Sequence, residues 1–229
     1  MEIERAEGSV ERTYRHIKGM AASYAFKPEA RINESELAKQ LSTSRTPLRE
    51  ALNRLVAEGF LTFKNGQGFF CRSLTPSEIM NLYEARAAIE CEAVRLASLR
   101  ATDAQLDELE TFLRECQTRY QPGTSPVELV QMDEAFHLRL TALSGNAEMV
   151  RMLENMNGRI HYIRLIDLKH LSARNGLEVM TIDPHKSILK AVRRRDVDGS
   201  EDEMRKHIER RLEAIKENVR YAFAELYAP

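Results

Sequence analysis

The sequence has no tryptophan and only three cysteines in 229 residues, and no stretch free of Asp, Glu, Lys and Arg exceeds 8 residues. A spanning helix needs roughly 20 apolar residues, so the last of these absences excludes a helical membrane span. Cys71, Cys91 and Cys116 are odd in number and lack C-x-x-C spacing, which argues against both a disulfide framework and a cysteine-ligated metal. They are expected to be reduced thiols packed as small apolar residues. The opening Met1-Glu2-Ile3-Glu4-Arg5 offers no apolar segment for a secretory signal, so a cytoplasmic location is expected. What is present suits a globular chain: 43% hydrophobic and 30% charged residues, enough to bury a core.

Charge of either sign is scarce only in the sum. The net formal charge is −1, yet residues 1–73 carry 12 Lys and Arg against 9 Asp and Glu, a net of +3, which leaves −4 for the remainder. A modestly basic N-terminal part is thus joined to an acidic C-terminal part, an asymmetry that accompanies a division of labour between domains.

The two parts also differ in pattern. Gly66 and Gly68, flanked by Leu61, Phe63, Phe69 and Phe70, read as strand, tight turn, strand. After them, Thr75-Pro76-Ser77-Glu78 has the form of a helix start, with Thr75 as cap, Pro76 at the first helical position and Glu78 closing a capping box. The domain boundary is therefore placed near residue 73, giving domains 1–73 and 74–229. Further helices are predicted at Asp103 to Arg119, Pro126 to Leu143, Glu148 to Leu168, Gly176 to Arg194 and Gly199 to Leu226. The class is mainly α, with an antiparallel, all-helical C-terminal bundle of about six helices.

Within the basic part, Glu34 to Leu55 divides into two short amphipathic helices around a polar turn at Ser42 to Ser44, the spacing of a helix-turn-helix. Leu37, Leu41, Leu48, Ala51, Leu52 and Leu55 would pack the pair, leaving Arg45, Thr46 and Arg49 exposed at the start of the second helix. Residues there reach base edges in the major groove, and Arg can bind guanine bidentately. Ser44 can cap that helix or bind phosphate through its hydroxyl. The hairpin tip, with Lys64, Gly66 and Gln67, forms a wing suited to backbone or minor groove. The full string, Ser44-Arg45-Thr46-Pro47-Leu48-Arg49-Glu50-Ala51-Leu52 with Leu37-Ala38, Glu58-Gly59 and the Gly66-Gln67-Gly68 wing, resembles the winged-helix domain of GntR-family transcription regulators. The resemblance implies that Arg45, Arg49 and the wing around Gly66 contact double-stranded DNA. This chain departs from the family at Glu29, often Gly after Pro28, and at Gln67, often Arg.

In the acidic part, Asp133 and His137 stand i,i+4 on one predicted helix and project from one face. His185 and His207 each lie among apolar neighbours on later helices, and an inward imidazole needs a hydrogen-bond partner or a metal. Together the four would form a site in the bundle interior. Arg86, beside the apolar stripe of the first long helix, is a candidate to hold an anionic effector by bidentate pairing; the other reading is an interhelical ion pair. His161 could line the pocket or be a satisfied core residue, and His170 sits near a helix end. Arg193-Arg194-Arg195 reads as a helix C-terminal charge complement.

From about Thr75 onward the chain resembles the FadR C-terminal (FCD) domain of a large GntR subfamily, through Leu82-Tyr83-Glu84-Ala85-Arg86, Asp133-Glu134-Ala135-Phe136-His137, Ser144-Gly145-Asn146, His185 and His207. That resemblance implies a divalent metal held by Asp133, His137, His185 and His207, zinc first with nickel or manganese as alternatives, and a small carboxylate effector completing its coordination. The expected protein is a ligand-responsive regulator, not an enzyme, binding a palindromic operator as a homodimer. The competing reading is a metal-dependent hydrolase built on the Asp/His cluster, for which the only nearby base, Glu134, falls on a different helical face from His137, a geometry that disfavours it.

Overall fold

In the computed structural model, residues 8–73, 75–121, 123–175 and 182–227 are described, without the side chains of residues 170–175 and 214–227. The chain separates into two compact units, one N-terminal and one over Thr75–Ala222.

The N-terminal unit contains α1 (Ser9–Ala22), α2 (Glu34–Gln40), α3 (Arg45–Ala57), β1 (Leu61–Lys64) and β2 (Gly68–Cys71). Helix α1 was not anticipated, although Tyr14, Ile17 and Ala21 recur at helical spacing and all three are buried. They join Leu37, Leu48, Leu52, Leu55, Phe60 and Phe69 in one core. Several of these leucines are fully buried, and truncating such a side chain typically costs ~2–5 kcal/mol. Helix α2 starts where the Asn33 side chain accepts from the amides of Ser35 and Glu36. Ser44 precedes α3 without a side-chain capping bond, which leaves its hydroxyl for another acceptor or donor. The hairpin pairs Leu61 with Cys71 and Lys64 with Gly68. Gly66, with φ 72°, turns the tip in a conformation that L side chains resist.

The second unit consists of α4 (Pro76–Arg100), α5 (Asp103–Arg119), α6 (Pro126–Ala142), α7 (Ala147–Asn175), α8 (Asp183–Arg193) and α9 (Val197–Tyr227). Local chemistry sets most of the starts. Thr75 Oγ1 accepts from the Glu78 amide at 3.2 Å while the Glu78 carboxylate accepts from the Thr75 amide at 2.8 Å, the capping box expected there. Thr102 and Gln105 repeat the device at α5, and Ser125 with Pro126 opens α6. The largest departures from the sequence reading are at α7 and α8. Helix α7 runs past Leu168 to Asn175, a stretch in which no Gly or Pro follows Leu168 before Gly176. Helix α8 begins at Asp183, with Pro184 in its first turn where a missing amide is tolerated; residues 176–181, where a start was expected, lie outside the described residues. The basic run at the end of α8 reaches sideways to α5, Arg193 meeting Asp107 and Glu110 at 2.8 Å each and Arg195 meeting Asp103 at 2.9 Å. Among the described residues no helix is long and apolar enough to cross a membrane.

Candidate functional site

On the N-terminal unit, Ser44, Arg45, Thr46 and Arg49 are all exposed at the start of α3, as are Lys64, Gly66 and Gln67 on the hairpin. Arg49 lies 3.5 Å from Glu34, and Arg45 reaches the Ser35 hydroxyl at 3.5 Å, contacts weak enough to be exchanged for a ligand. Lys64 sits over the Phe70 ring at 4.5 Å. Arg31, which the sequence reading passed over, joins Arg45 and Arg49 around an open cleft of about 470 Å³ with Glu34 and Ser35 on its wall. Its position follows from an isolated antiparallel bridge, Arg31 to Phe70, that no local pattern announces.

The second unit buries a cluster of polar groups. Asp133 and His137 come from α6, His185 from α8 and His207 from α9, and one potential ligand atom of each lies within 4.8 Å of the others. His137 Nε2 is 3.2 Å from His207 Nε2 and 3.7 Å from Asp133 Oδ2, and His185 Nε2 is 3.3 Å from Asp133 Oδ1. Donors about 2.1 Å from one ion stand roughly 3–3.4 Å apart, so these separations are close to those of a shared cation. The donor chemistry fits as well. His185 Nε2 meets Asp133 Oδ1 as an ion-pair contact at 3.3 Å without the geometry of a hydrogen bond to any described residue. Burial lowers the pKa of His185, against the pull of Asp133. His207 is held well below its ordinary value by burial and then by the neighbouring imidazoles. Both effects favour the neutral form that ligates metal.

Beyond the four anticipated residues, two carboxylate partnerships shape the site. Glu90 on α4 accepts from His137 Nδ1 and also pairs with Arg86. Burial pushes the Glu90 carboxyl up, but Arg86 and His137 overcome it and bring it to about 2. An ionised Glu90 can only accept, so it fixes a proton on Nδ1 and turns Nε2 toward the other donors, a carboxylate–histidine arrangement common behind metal ligands. The Arg86 pair lies within α4, not between helices. Arg164 on α7 donates through Nη2 to Asp133 Oδ2, and Arg211 approaches Oδ1 at 3.5 Å. Burial raises the Asp133 carboxyl, yet Arg164 and the imidazoles outweigh it and hold the group well below the usual carboxylate range.

Glu134 meets His161 Nδ1 at 3.2 Å and Arg164 Nη1 at 3.6 Å. That engagement disfavours Glu134 as the base of a hydrolytic site. His161 is partly exposed and paired, and the side chain of His170 lies outside the described residues.

Comparison with known proteins gives two family matches: bacterial regulatory proteins of the gntR family over residues 9–71 and the FCD domain over residues 81–210. The Nta operon transcriptional regulator of Aminobacter aminovorans is 42% identical over 215 residues, covering 91% of this chain and 95% of that protein. The uncharacterized HTH-type transcriptional regulator YdhC of Bacillus subtilis is 30% identical, covering 89% of each chain. Among solved structures, Escherichia coli McbR/YncC superposes with a TM-score of 0.69 at 22% identity, covering 96% of this chain and 99% of that one, a likeness of fold.

Proposed function

We propose, from the premise that this chain belongs to the GntR family of bacterial regulatory proteins and carries an FCD domain, that it is a transcriptional regulator whose DNA binding responds to a metal-dependent carboxylate effector. The observation that carries the effector half is the convergence of Asp133, His137, His185 and His207, with the His137 ring oriented by Glu90. In this reading those four residues hold a divalent cation, zinc in first place, which would supply a Lewis-acidic position for a small carboxylate. Arg86 assists through the terminal nitrogens of its guanidinium, since Glu90 engages its Nε. DNA is met by Ser44, Arg45, Thr46, Arg49, Lys64, Gly66 and Gln67, with Arg31 added to phosphate contacts.

Two copies of a reader with a net charge of only +3 over residues 1–73 supply more affinity than one, so the functional form is a homodimer on a two-fold operator, in the cytoplasm. Effector binding in the second unit then changes operator affinity, a coupling between two sites.

Elemental analysis of protein purified without chelator should return about one divalent ion per chain. His137→Ala combined with His185→Ala should abolish it and lower the melting temperature, since a ligand at 100 times its Kd stabilises by about 2.7 kcal/mol. Wild-type protein free of metal, or a double variant that retains it, refutes the metal reading. Selection of genomic DNA by the full chain tests the operator half, and sedimentation tests the dimer.

A further inference from the structure

Arg164 stands in a position that the metal reading does not explain. Its side chain is only 8% exposed, it lies on α7, and its Nη2 donates to Asp133 Oδ2. Its Nη1 is buried with no hydrogen-bond partner among the described residues; Glu134 Oε1, at 3.6 Å, is a charge contact beyond hydrogen-bonding reach. Two helical turns earlier, about 10 Å along the same face of α7, Asn157 is 3% exposed and neither its Nδ2 nor its Oδ1 has a hydrogen-bond partner among the described residues. Leaving buried polar atoms unpaired costs roughly 1–3 kcal/mol each, and such atoms mark places where a ligand completes the set. Three guanidiniums, Arg164, Arg86 and Arg211, act on the buried Tyr83 there, opposed by the single buried carboxylate of Asp167.

We propose that Arg164 is an exchangeable counter-ion: it neutralises Asp133 when the Asp/His cluster holds no cation, and becomes the carboxylate-binding arm of the site when the cluster is filled. The inference rests on the metal-and-carboxylate reading above and adds a residue, a ligand class and an order of events to it. A buried carboxylate must be compensated. Without a cation, Arg164 does most of this for Asp133 Oδ2, with Arg211 more distant from Oδ1. Once Asp133 serves a cation, Arg164 keeps only the 3.6 Å charge contact with Glu134, and a buried guanidinium with one nitrogen already unpaired can take up an anion. The planar fork of Arg suits a carboxylate bidentately. Asn157, able both to donate and to accept, suits a second polar group on the same molecule. The ligand class is thus a small carboxylate bearing a further hydroxyl or carboxylate group, bound after the cation and only weakly without it.

The test compares full-length wild type, Arg164→Gln and Arg164→Lys, each stripped with chelator. Zinc(II) affinity is measured by competition with a chromophoric chelator, and the melting shift by acetate, lactate and malonate is measured with and without zinc. In wild type, lactate and malonate are expected to raise the melting temperature only when zinc is present, and more than acetate does. Arg164→Gln removes the competitor for Asp133, so zinc should bind about tenfold tighter, a change of roughly 1.4 kcal/mol, while the carboxylate response is lost. Arg164→Lys keeps the charge without the fork: zinc affinity should stay near wild type and the carboxylate shift should fall by more than half. It also serves if Arg164→Gln does not fold. Unchanged or weaker zinc binding by Arg164→Gln, or an undiminished carboxylate shift in either variant, overturns the proposal while leaving the metal reading intact. A wild type that binds no zinc fails the parent reading instead. A wild type that binds zinc and ignores all three carboxylates overturns the anion role of Arg164.

Discussion

Arg49 and Arg164 each sit beside a carboxylate, and the two units use that pairing in opposite ways. Arg49 lies 3.5 Å from Glu34 with its side chain 54% exposed, whereas Arg164 is bonded to Asp133 with 8% of its side chain exposed. An exposed pair is screened by water and salt and contributes about 0–1 kcal/mol, so Arg49 can leave Glu34 for a phosphate or a guanine at little cost. A buried pair carries a desolvation penalty that its partners must offset, and removing one partner strands the other. Charge on the N-terminal unit is therefore available to a polyanion. Charge inside the second unit is held in reserve by internal partners until something takes their place.

The largest effect that could break this contrast lies at Glu90. Glu90→Gln withdraws the carboxylate from both Arg86 and His137 and is expected to cost about 3–5 kcal/mol in urea melts of metal-free protein. Glu34→Gln, the exposed counterpart, should cost less than about 1 kcal/mol. Equal costs for the two substitutions would mean that buried and exposed charge pairs behave alike in this protein. Next in size are the reader arginines. Arg45→Ala and Arg49→Ala should each weaken specific operator binding by about 1–3 kcal/mol, roughly five- to 150-fold, and flatten its salt dependence, with the melting temperature nearly unchanged. Fluorescence anisotropy on the selected operator reads the first two quantities. Unaltered affinity in both variants would remove α3 from the DNA interface.

These predictions also separate what the sequence exposes from what only folding brings together. The capping box at Thr75 and Glu78, the pairing of Leu61 with Cys71 and the start of α5 at Asp103 are set by residues close in the chain, so local pattern suffices to read them. Asp133 and His137 share a helical face for the same reason. Their partners do not: Glu90 is 47 positions from His137 and Arg164 is 31 from Asp133. Both sit on helices where a charged residue in the pattern reads as solvated surface, and only the packing of α4 and α7 against α6 reveals that these charges face inward. Arg31 was overlooked for a similar reason, since its place beside α3 depends on its bridge to Phe70.

A smaller effect sharpens the description of the N-terminal unit. Burial pushes the Glu58 carboxyl up, but hydrogen bonds from Tyr14 and Lys18 prevail and hold it below its ordinary value. Tyr14 donates at 2.7 Å and Lys18 at 3.1 Å. A carboxyl depressed in the folded state contributes stability that is present above its unfolded pKa of about 4.3 and is lost as pH falls through the lower folded value. The melting temperature of wild type should therefore exceed that of Glu58→Gln at pH 7, and the gap should close on acidification below about pH 4. A gap independent of pH would assign the effect to packing alone.

The smallest change concerns a position where this chain departs from the GntR pattern. The Ala30 amide donates to the Lys27 carbonyl at 3.0 Å, so Lys27-Pro28-Glu29-Ala30 forms a tight turn with Pro second and Glu29 third. Glu29 has a φ of 59°, the left-handed conformation that the third position of a type II turn requires and that glycine adopts without steric cost. The glutamate holds that conformation against its Cβ, a strain of about 1 kcal/mol. Glu29→Gly relieves it but also gives the unfolded chain more freedom, which offsets part of the gain. The expected net is a stabilisation of less than about 1 kcal/mol, read as a small rise in melting temperature with operator affinity unchanged. Destabilisation by Glu29→Gly would mean that the glutamate side chain contributes a contact worth more than the strain, and would turn this departure from the family pattern into a feature specific to this chain.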